Sequence, residues 1–109
     1  MNTIEILLDQ LWKLDDNSLK NKEDFWRSND HWEFEIEGAD ESRIRIINRS
    51  KSKFLSVCNN EGNVSETDFN QFWIKENLDN EGYFTLRDVS TKKILTAVSD
   101  GSLKVEGIY

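Results

Sequence analysis

The chain carries few of the side chains that nucleophilic or metal chemistry requires. His31 is its only histidine and Cys58 its only cysteine. Nucleophilic catalysis needs a nucleophile beside a base that a third group orients, and these two residues hold unrelated places in the pattern described below. A zinc site needs about four cysteine, histidine or carboxylate ligands at set spacings, and no such set occurs. We therefore expect no Cys–His pair, no metal site and no cofactor.

Carboxylates are so abundant that no single pair of them is informative. The sequence contains 21 Asp and Glu among 109 residues, so pairs at the spacing of a glycosidase arise by chance. A domain of this length, with its apolar residues committed to a core, has little room for a cleft of roughly 300 Å3 or more. We therefore predict that the protein is not an enzyme. The alternative is a small α+β cone, with helices first and a curved sheet after, which would offer a pocket.

Composition and charge narrow the class of partner. The chain has 14 Lys and Arg and a net charge of −7, with a pI near 4.7. These values argue against direct nucleic-acid binding, because phosphate binders cluster basic residues. No run approaches the roughly 20 apolar residues of a membrane span, and a single cysteine cannot form an internal disulfide. We predict one small cytoplasmic domain that contacts neither nucleic acid nor membrane.

From Trp32 onward, apolar and polar residues alternate with the period of a strand. Trp32, Phe34 and Ile36 alternate with glutamates, and residues 43–46 resume the alternation after a polar turn, which predicts a hairpin. Its polar face would set glutamates opposite arginines, a solvated arrangement of paired charges. The other interpretations are a cation site or an acidic docking face, the latter formed by Glu33, Glu35, Glu37, Asp40 and Glu41.

The N-terminal part of the chain follows a helical period instead. Ile4, Leu7, Leu8 and Leu11 recur at helical spacing, which predicts a helix over about residues 3–14. A run of short polar residues then favours a turn.

A second, shorter helix is expected over about residues 19–27. Residues 1–30 are thus predicted to be an N-terminal helical extension. We expect it to pack with the β-repeat region, residues 31–109, as a single domain.

The β region contains an internal repeat of about 40 residues. Residues 44–60 lie over residues 84–100 without a gap, so that Ile44 matches Phe84. Each copy is typical of strands separated by polar and glycine-containing turns, followed by an aromatic residue that opens the next unit. The apolar residues at the repeated positions form the predicted core: Trp32, Phe34, Ile36, Ile44, Ile46, Phe54, Leu55, Val57, Phe72, Ile74, Phe84, Leu86, Ile94, Leu95, Val98 and Leu103.

Two motifs within the repeat carry a resemblance to a known family. Segment 83–97 runs Tyr-Phe-Thr-Leu-Arg-Asp-Val-Ser-Thr-Lys-Lys-Ile-Leu-Thr-Ala, and Gln71-Phe72-Trp73 is a Gln-any-Trp triplet. Both are similar to the repeat unit of β-trefoil proteins such as ricin-B-type lectins, fascins and hisactophilin. The resemblance covers about residues 31–109 and implies a β-trefoil-like barrel.

The resemblance accounts for about two of the three units that build a β-trefoil. We therefore expect a mainly β chain with an N-terminal helical segment (α+β), folded as an incomplete or atypical β-trefoil-like barrel. Its open side needs a cover, since exposed sheet edges promote aggregation. The cover would be the N-terminal helices or a second copy in a homodimer that completes the barrel; otherwise the strands close differently into a small α+β barrel.

The resemblance implies a ligand-binding role for Asn70, Gln71 and Trp73. Ricin-B-type lectins grip sugar hydroxyls with an aspartate after the Gly-Lys turn, but the matching positions here are Ser56 and Thr96. We predict a non-catalytic binding module that recognises a protein surface or a glycan.

The alternative function is an acidic inhibitor or immunity-type protein that docks on a basic, nucleic-acid-binding partner protein. Residues 1–69 carry 15 acidic and 9 basic side chains, a net of −6, while residues 70–109 carry −1. Complementary charge would accelerate association and make it sensitive to salt. The competing explanation is that negative charge keeps a small domain soluble.

Overall fold

The fold is built almost entirely from β-strands. The computed structural model describes residues 7–26, 28, 30–37, 40–76 and 79–107, without the side chains of residues 37 and 40–42. Strands account for 49% of the chain and helical turns for 3%. The elements within these residues are a 3-10 turn at Leu8–Gln10 and the strands β1 Trp12–Asp15, β2 Ser18–Asn21, β3 Glu33–Glu37, β4 Asp40–Asn48, β5 Lys53–Val57, β6 Asn63–Thr67, β7 Trp73–Glu76, β8 Thr85–Asp88, β9 Ile94–Ala97 and β10 Leu103–Glu106.

Seven strands form a closed ring. The strand order is β4-β5-β6-β10-β9-β8-β7, and β7 returns to pair with β4, where Ile44 lies opposite Trp73. Strand β3 pairs with β4 outside the ring. The β1–β2 hairpin joins the ring through a bridge between Trp12 and Phe84. The ring is therefore closed within one chain.

Three hairpins each carry a buried tryptophan at the start of their first strand, and we call β1–β2, β3–β4 and β7–β8 the tryptophan hairpins. Trp12 and Trp73 are fully buried, and Trp32, which directly precedes β3, is 3% exposed. Each tryptophan lies opposite a short polar residue: Trp12 opposite Asn21, Trp73 opposite Asp88 and, when the β3–β4 register is extended by one residue, Trp32 opposite Asn48.

Two of the tryptophans bind the rest of the chain in the same way. Nε1 of Trp73 donates to the carbonyl oxygen of Leu55 at 3.0 Å, and Nε1 of Trp12 donates to that of Leu95 at 3.0 Å. Leu55 and Leu95 are separated by the offset of 40 residues found in the sequence repeat. Asn48, opposite Trp32, and Asp88, opposite Trp73, are separated by the same offset. The sequence repeat is therefore also a structural repeat.

The third tryptophan has a different partner. In the described part of the chain, two further hairpins occur, β5–β6 and β9–β10, which we call the peripheral hairpins. They contain Leu55 and Leu95, whose carbonyl oxygens accept the hydrogen bonds from Trp73 and Trp12. Nε1 of Trp32 instead donates to Oγ of Ser28 at 3.1 Å. Trp26, which lies between β2 and β3 in the chain, packs edge-to-face on Trp12 with ring centres 5.6 Å apart.

The structure overturns the expected first helix. Residues 7–21 hold the 3-10 turn and the β1–β2 hairpin. Asp16 and Asn17 both have positive φ, 51° and 61°, as a two-residue hairpin turn requires. Apolar residues alternate with polar ones along β1, and this period of two outweighs the helical spacing of the leucines before it. Residues 3–6 of the expected helix lie outside the described residues.

The second expected helix is also wrong. Strand β2 begins at Ser18, and a turn follows it, closed by the hydrogen bond from the amide of Asp24 to the carbonyl oxygen of Asn21 at 3.0 Å. The described part of the chain is thus nearly all β rather than α+β, and within residues 7–26 no helical extension is formed. Among the described residues, no helix has the length and apolar character needed to cross a membrane.

The buried core follows the repeat. Ile36, which was predicted to lie in the core, is instead 48% exposed. Trp12 and Leu19, which precede the repeat, join the core. The predicted core residues that are buried are Trp32, Ile44, Ile46, Leu55, Phe84, Leu86, Ile94, Leu95 and Leu103.

Gly62 allows the turn of one peripheral hairpin to pack against the other. Its φ is +85°, and a Cβ atom there would lie 3.0 Å from the carbonyl oxygen of Val105. Gly62→Ala should lower the free energy of unfolding by about 1–3 kcal/mol, because a left-handed backbone and crowding both oppose the methyl group. Urea denaturation measures the loss. Gly107→Ala, where nothing lies within 4 Å, should change it by less than about 0.5 kcal/mol; equal effects would contradict this packing.

Asp9, in the 3-10 turn, is a carboxylate in an unfavourable place. Its Oδ1 is buried with no hydrogen-bond partner among the described residues, and burial, followed by repulsion from Glu106, raises its pKa. A carboxyl pKa raised by folding means that the ionised form opposes folding, and this penalty disappears below the ordinary pKa of an aspartate.

Asp9→Asn should therefore raise the free energy of unfolding at neutral pH, because it removes the charge. The advantage should shrink as pH falls and be lost at about pH 3, where aspartates are largely protonated. Thermal melts of both proteins across this range measure the difference. A stabilisation of equal size at both ends would show that charge is not its cause.

Candidate functional site

A polar cleft lies between two turns of the barrel. Its volume is about 430 Å3, and its walls are the turn that joins β5 to β6 and the turn that joins β8 to β9. We call it the polar cleft. The residues that give it its polar lining are Asn59, Asn60, Gln71, Asp88, Ser90, Thr91 and Lys93.

Gln71 connects the two walls. Its Oε1 accepts a hydrogen bond from the amide of Val57 at 2.7 Å, and its Nε2 donates to Oδ1 of Asp88 at 3.0 Å. Gln71 precedes Trp73 by two residues, so the anchoring of that indole also places the glutamine. Both the β5 wall and the β8 wall are therefore held by one side chain.

Asp88 shapes the second wall. It is 1% exposed, and its Oδ1 accepts from Gln71 and from the amide of Ser90 at 3.0 Å. Its Oδ2 accepts from the amide of Thr91 at 3.2 Å and from the hydroxyl of Thr91 at 2.7 Å. A carboxylate with four donors has its acceptor sites filled, so Asp88 orders the turn.

Asn59 orders the first wall in a similar way. Its Oδ1 accepts from the amide of Glu61 at 3.0 Å and from the amide of Asn63 at 3.2 Å. The amide of Cys58 donates to the carbonyl oxygen of Asn63 at 2.8 Å. The turn is thus fixed by its own hydrogen bonds before any ligand arrives.

Lys93 supplies the exposed charge of the polar cleft. It takes part in none of the ion pairs found among the described residues. Because the charge of Asp88 is buried and hydrogen-bonded, the cleft presents amides, hydroxyls and one ammonium group.

The structure separates the three residues that the family resemblance brought together. Gln71 lines the polar cleft, and Asn70 beside it is exposed. Trp73 is fully buried in the core, so its ring does not reach a ligand. Phe69, on the other side of Asn70, is 69% exposed.

The two positions that match the sugar-gripping aspartate are structural. Ser56 and Thr96 are each 1% exposed. The hydroxyl of Ser56 donates to the carbonyl oxygen of Phe69 at 2.8 Å, and that of Thr96 donates to the carbonyl oxygen of Ile94 at 3.0 Å. Neither position contributes a carboxylate to a ligand site.

Glu33 and Glu35 of β3 are paired with arginines. Nη1 of Arg45 donates to Oε1 of Glu35 at 2.5 Å. The guanidinium group of Arg49 bonds to Glu33 and reaches Oε2 of Glu35 at 3.4 Å. This part of the proposed acidic docking face therefore carries compensated charge. The backbone of its other members lies in β3 and β4, but their side chains are outside the described set: Glu37, Asp40 and Glu41.

One signal in the sequence was missed. Gln10-Leu11-Trp12 is a second Gln-any-Trp triplet, parallel to the one that ends at Trp73. Gln10 is 3% exposed, and its Nε2 donates to Oγ1 of Thr96 at 3.3 Å. This stretch was interpreted as a helix, so the match between the two triplets was overlooked. The match identifies β1 as the start of a repeat unit.

Comparisons with known proteins do not indicate a function for this chain. No known protein family, curated protein or solved structure matches this chain. In the part of the chain that the structure describes, no three His, Cys, Asp or Glu side chains are placed to hold a metal ion. The chemistry of the polar cleft is therefore the basis for a functional proposal.

Gln71→Leu should lower the free energy of unfolding by about 1–3 kcal/mol, because it leaves the amide of Val57 and Oδ1 of Asp88 without the glutamine. Chemical denaturation measures the loss, and faster hydrogen exchange at the Val57 amide would locate it. Asn70→Ala, one residue away and exposed, should cost less than about 0.5 kcal/mol. A Gln71→Leu variant as stable as Asn70→Ala would rule out the bridging role.

Proposed function

We propose that this protein is a non-catalytic binding module and that its polar cleft holds a glycan. The supporting observation is the lining, where the side chains of Asn59, Asn60, Ser90 and Thr91 border a space of about 430 Å3. Amides and hydroxyls both donate and accept hydrogen bonds, as the hydroxyl groups of a sugar do. The volume lies within the range of small-molecule sites.

The walls of the polar cleft are ordered in advance, which favours binding. Gln71 fixes their separation, and Asp88 and Asn59 fix the shape of the two turns. A ligand that enters a pre-formed site loses less free energy to the ordering of loops. Useful affinity can then arise from a small number of hydrogen bonds.

Phe69 and Asn70 extend the proposed site. The backbone of Phe69 is held at both ends, since its amide donates to Oγ1 of Thr67 at 3.0 Å and its carbonyl oxygen accepts from Ser56 at 2.8 Å. An exposed aromatic ring on a fixed backbone offers an apolar surface for one face of a sugar ring. The amide of Asn70 lies next to it in the chain and can bond to a hydroxyl group.

The proposed role excludes catalysis by the acid in the cleft. Asp88 is the one carboxylate among the described lining residues, and its oxygens already accept four hydrogen bonds. A general acid or base must exchange a proton with its ligand. Asp88 is committed to its turn instead.

We further propose that the barrel is of the β-trefoil type with one peripheral hairpin fewer than three full units would have. The three tryptophan hairpins support this, as do the matching contacts of Trp12 and Trp73. In the family that this architecture resembles, glycan and protein ligands are both found, so the fold is compatible with the proposed role and does not by itself establish it.

A cytoplasmic location is proposed on the basis of the single cysteine. Cys58 is free and exposed. Free thiols persist where the compartment is reducing.

Glycan-array screening, followed by calorimetric titration of the best ligand, tests the proposed function. Asn60→Ala and Asn70→Ala should each weaken binding about tenfold, since each removes a hydrogen bond of roughly 1.4 kcal/mol. Asn80→Ala makes the same change at an exposed position of the β7–β8 connection. It is the matched control and should leave the affinity unchanged.

Failure to bind any glycan at high protein concentration would contradict the proposal.

The alternative function, an acidic inhibitor that docks on a basic partner protein, predicts a different result. Capture of such a partner should fall steeply as salt is raised, because complementary charge would drive the association. Its present support is the net charge of −7.

A further inference from the structure

The tryptophan hairpins place three equivalent residues at one end of the barrel. In a strand, residues two apart point to the same side, so the residue two positions after each tryptophan lies on the same side of its strand as the indole. These residues are Leu14, Phe34 and Lys75. Leu14 and Phe34 are half-buried apolar residues, whereas Lys75 is an exposed lysine.

Lys75 has an aromatic partner in place of an ionic one. Its ammonium group lies 5.0 Å from the centre of the Phe84 ring. It joins none of the ion pairs found among the described residues. An aromatic face attracts a cation but leaves its charge uncompensated, so this ammonium remains available to an anion.

A pocket of about 410 Å3 lies beside Lys75, and its lining combines apolar side chains with Asn17 and Glu33. Its walls include Leu14, Phe34 and Ile44, and Ile36 stands at its rim with 48% of its surface exposed. The Phe34 ring packs on Phe84 with ring centres 5.6 Å apart. We call this space the apolar pocket, after its hydrocarbon wall; Asn17, Glu33 and Lys75 give it a polar side.

Glu33 also lines the apolar pocket, but its carboxylate is engaged elsewhere. It accepts a hydrogen bond from the guanidinium group of Arg49 and lies 3.4 Å from Nε2 of His31. Strand alternation directs its side chain away from that of Phe34. Lys75 is therefore the charged lining residue that has no ionic partner among the described residues.

We infer that the apolar pocket binds a small amphipathic carboxylate, a molecule with a short alkyl or aryl body and one carboxylate group. The alkyl or aryl body of this ligand lies against Leu14, Phe34 and Ile36. The carboxylate pairs with the ammonium of Lys75. The site shares no lining residue with the polar cleft.

Octanoate, compared with octan-1-ol of the same chain length, is the probe. Titration followed by NMR should show octanoate binding at least about tenfold more tightly than the alcohol, which corresponds to about 1.4 kcal/mol. Lys75→Met keeps the apolar length but removes the charge, and it should bring the two affinities close together. Lys20→Met removes an exposed lysine of β2 outside the pocket and should leave the preference intact.

A second variant tests the hydrocarbon wall. Ile36→Asn should weaken octanoate and octan-1-ol to a similar extent, while circular dichroism and melting temperature report that the fold is kept. Equal affinities of the unmodified protein for the two probes, no binding of octanoate, or a preference that survives Lys75→Met would each overturn the inference. Glycan binding should be unchanged in all three variants, so this site and the polar cleft succeed or fail separately.

Discussion

The structure depends on the burial of three tryptophans, each with an indole N–H that needs an acceptor. An aromatic side chain buries 150–250 Å2, which contributes roughly 4–6 kcal/mol, and a buried N–H without a partner would offset much of that gain. Trp12 and Trp73 meet the requirement by bonding to main-chain carbonyls of the peripheral hairpins. Because a hairpin cannot slide along the barrel without breaking such a bond, these contacts fix how the hairpins join and therefore the whole ring.

The same anchoring explains why the polar cleft forms where it does. Gln71 precedes Trp73 by two residues, and Gln10 precedes Trp12 by two. Each glutamine is thus brought against the strand that accepts the indole bond. Gln10 is 3% exposed and serves the core alone, whereas Gln71 is half-buried and borders the cleft. Both Gln-any-Trp triplets serve folding, and the one that contains Gln71 also forms part of the polar cleft.

The sequence predicts those parts of the fold that repeat or alternate. The equivalence of residues 44–60 and 84–100 is visible from their apolar spacing, and the structure gives both segments the same tryptophan contacts. The N-terminal hairpin was misread because leucines at helical spacing stand before it, although the turn residues Asp16 and Asn17 marked it. The polar cleft could not be predicted as a shape, since it depends on the distance between two turns that are far apart in sequence. Gln71 was its one advance signal.

The three tryptophan hairpins are not fully equivalent. They differ at Trp32 and at Lys75, and only the second difference bears on function. At Trp32, the peripheral hairpin is replaced by Ser28, whose hydroxyl accepts the indole bond, so the change is compensated within the chain. At Lys75, an apolar residue is replaced by a lysine next to an exposed apolar wall, and no described residue neutralises it. Leu14, at the equivalent place, is half-buried, whereas Lys75 is exposed, so the lysine does not oppose folding. An ammonium group without an ionic partner beside an exposed hydrocarbon wall is the feature that the inferred carboxylate ligand would use.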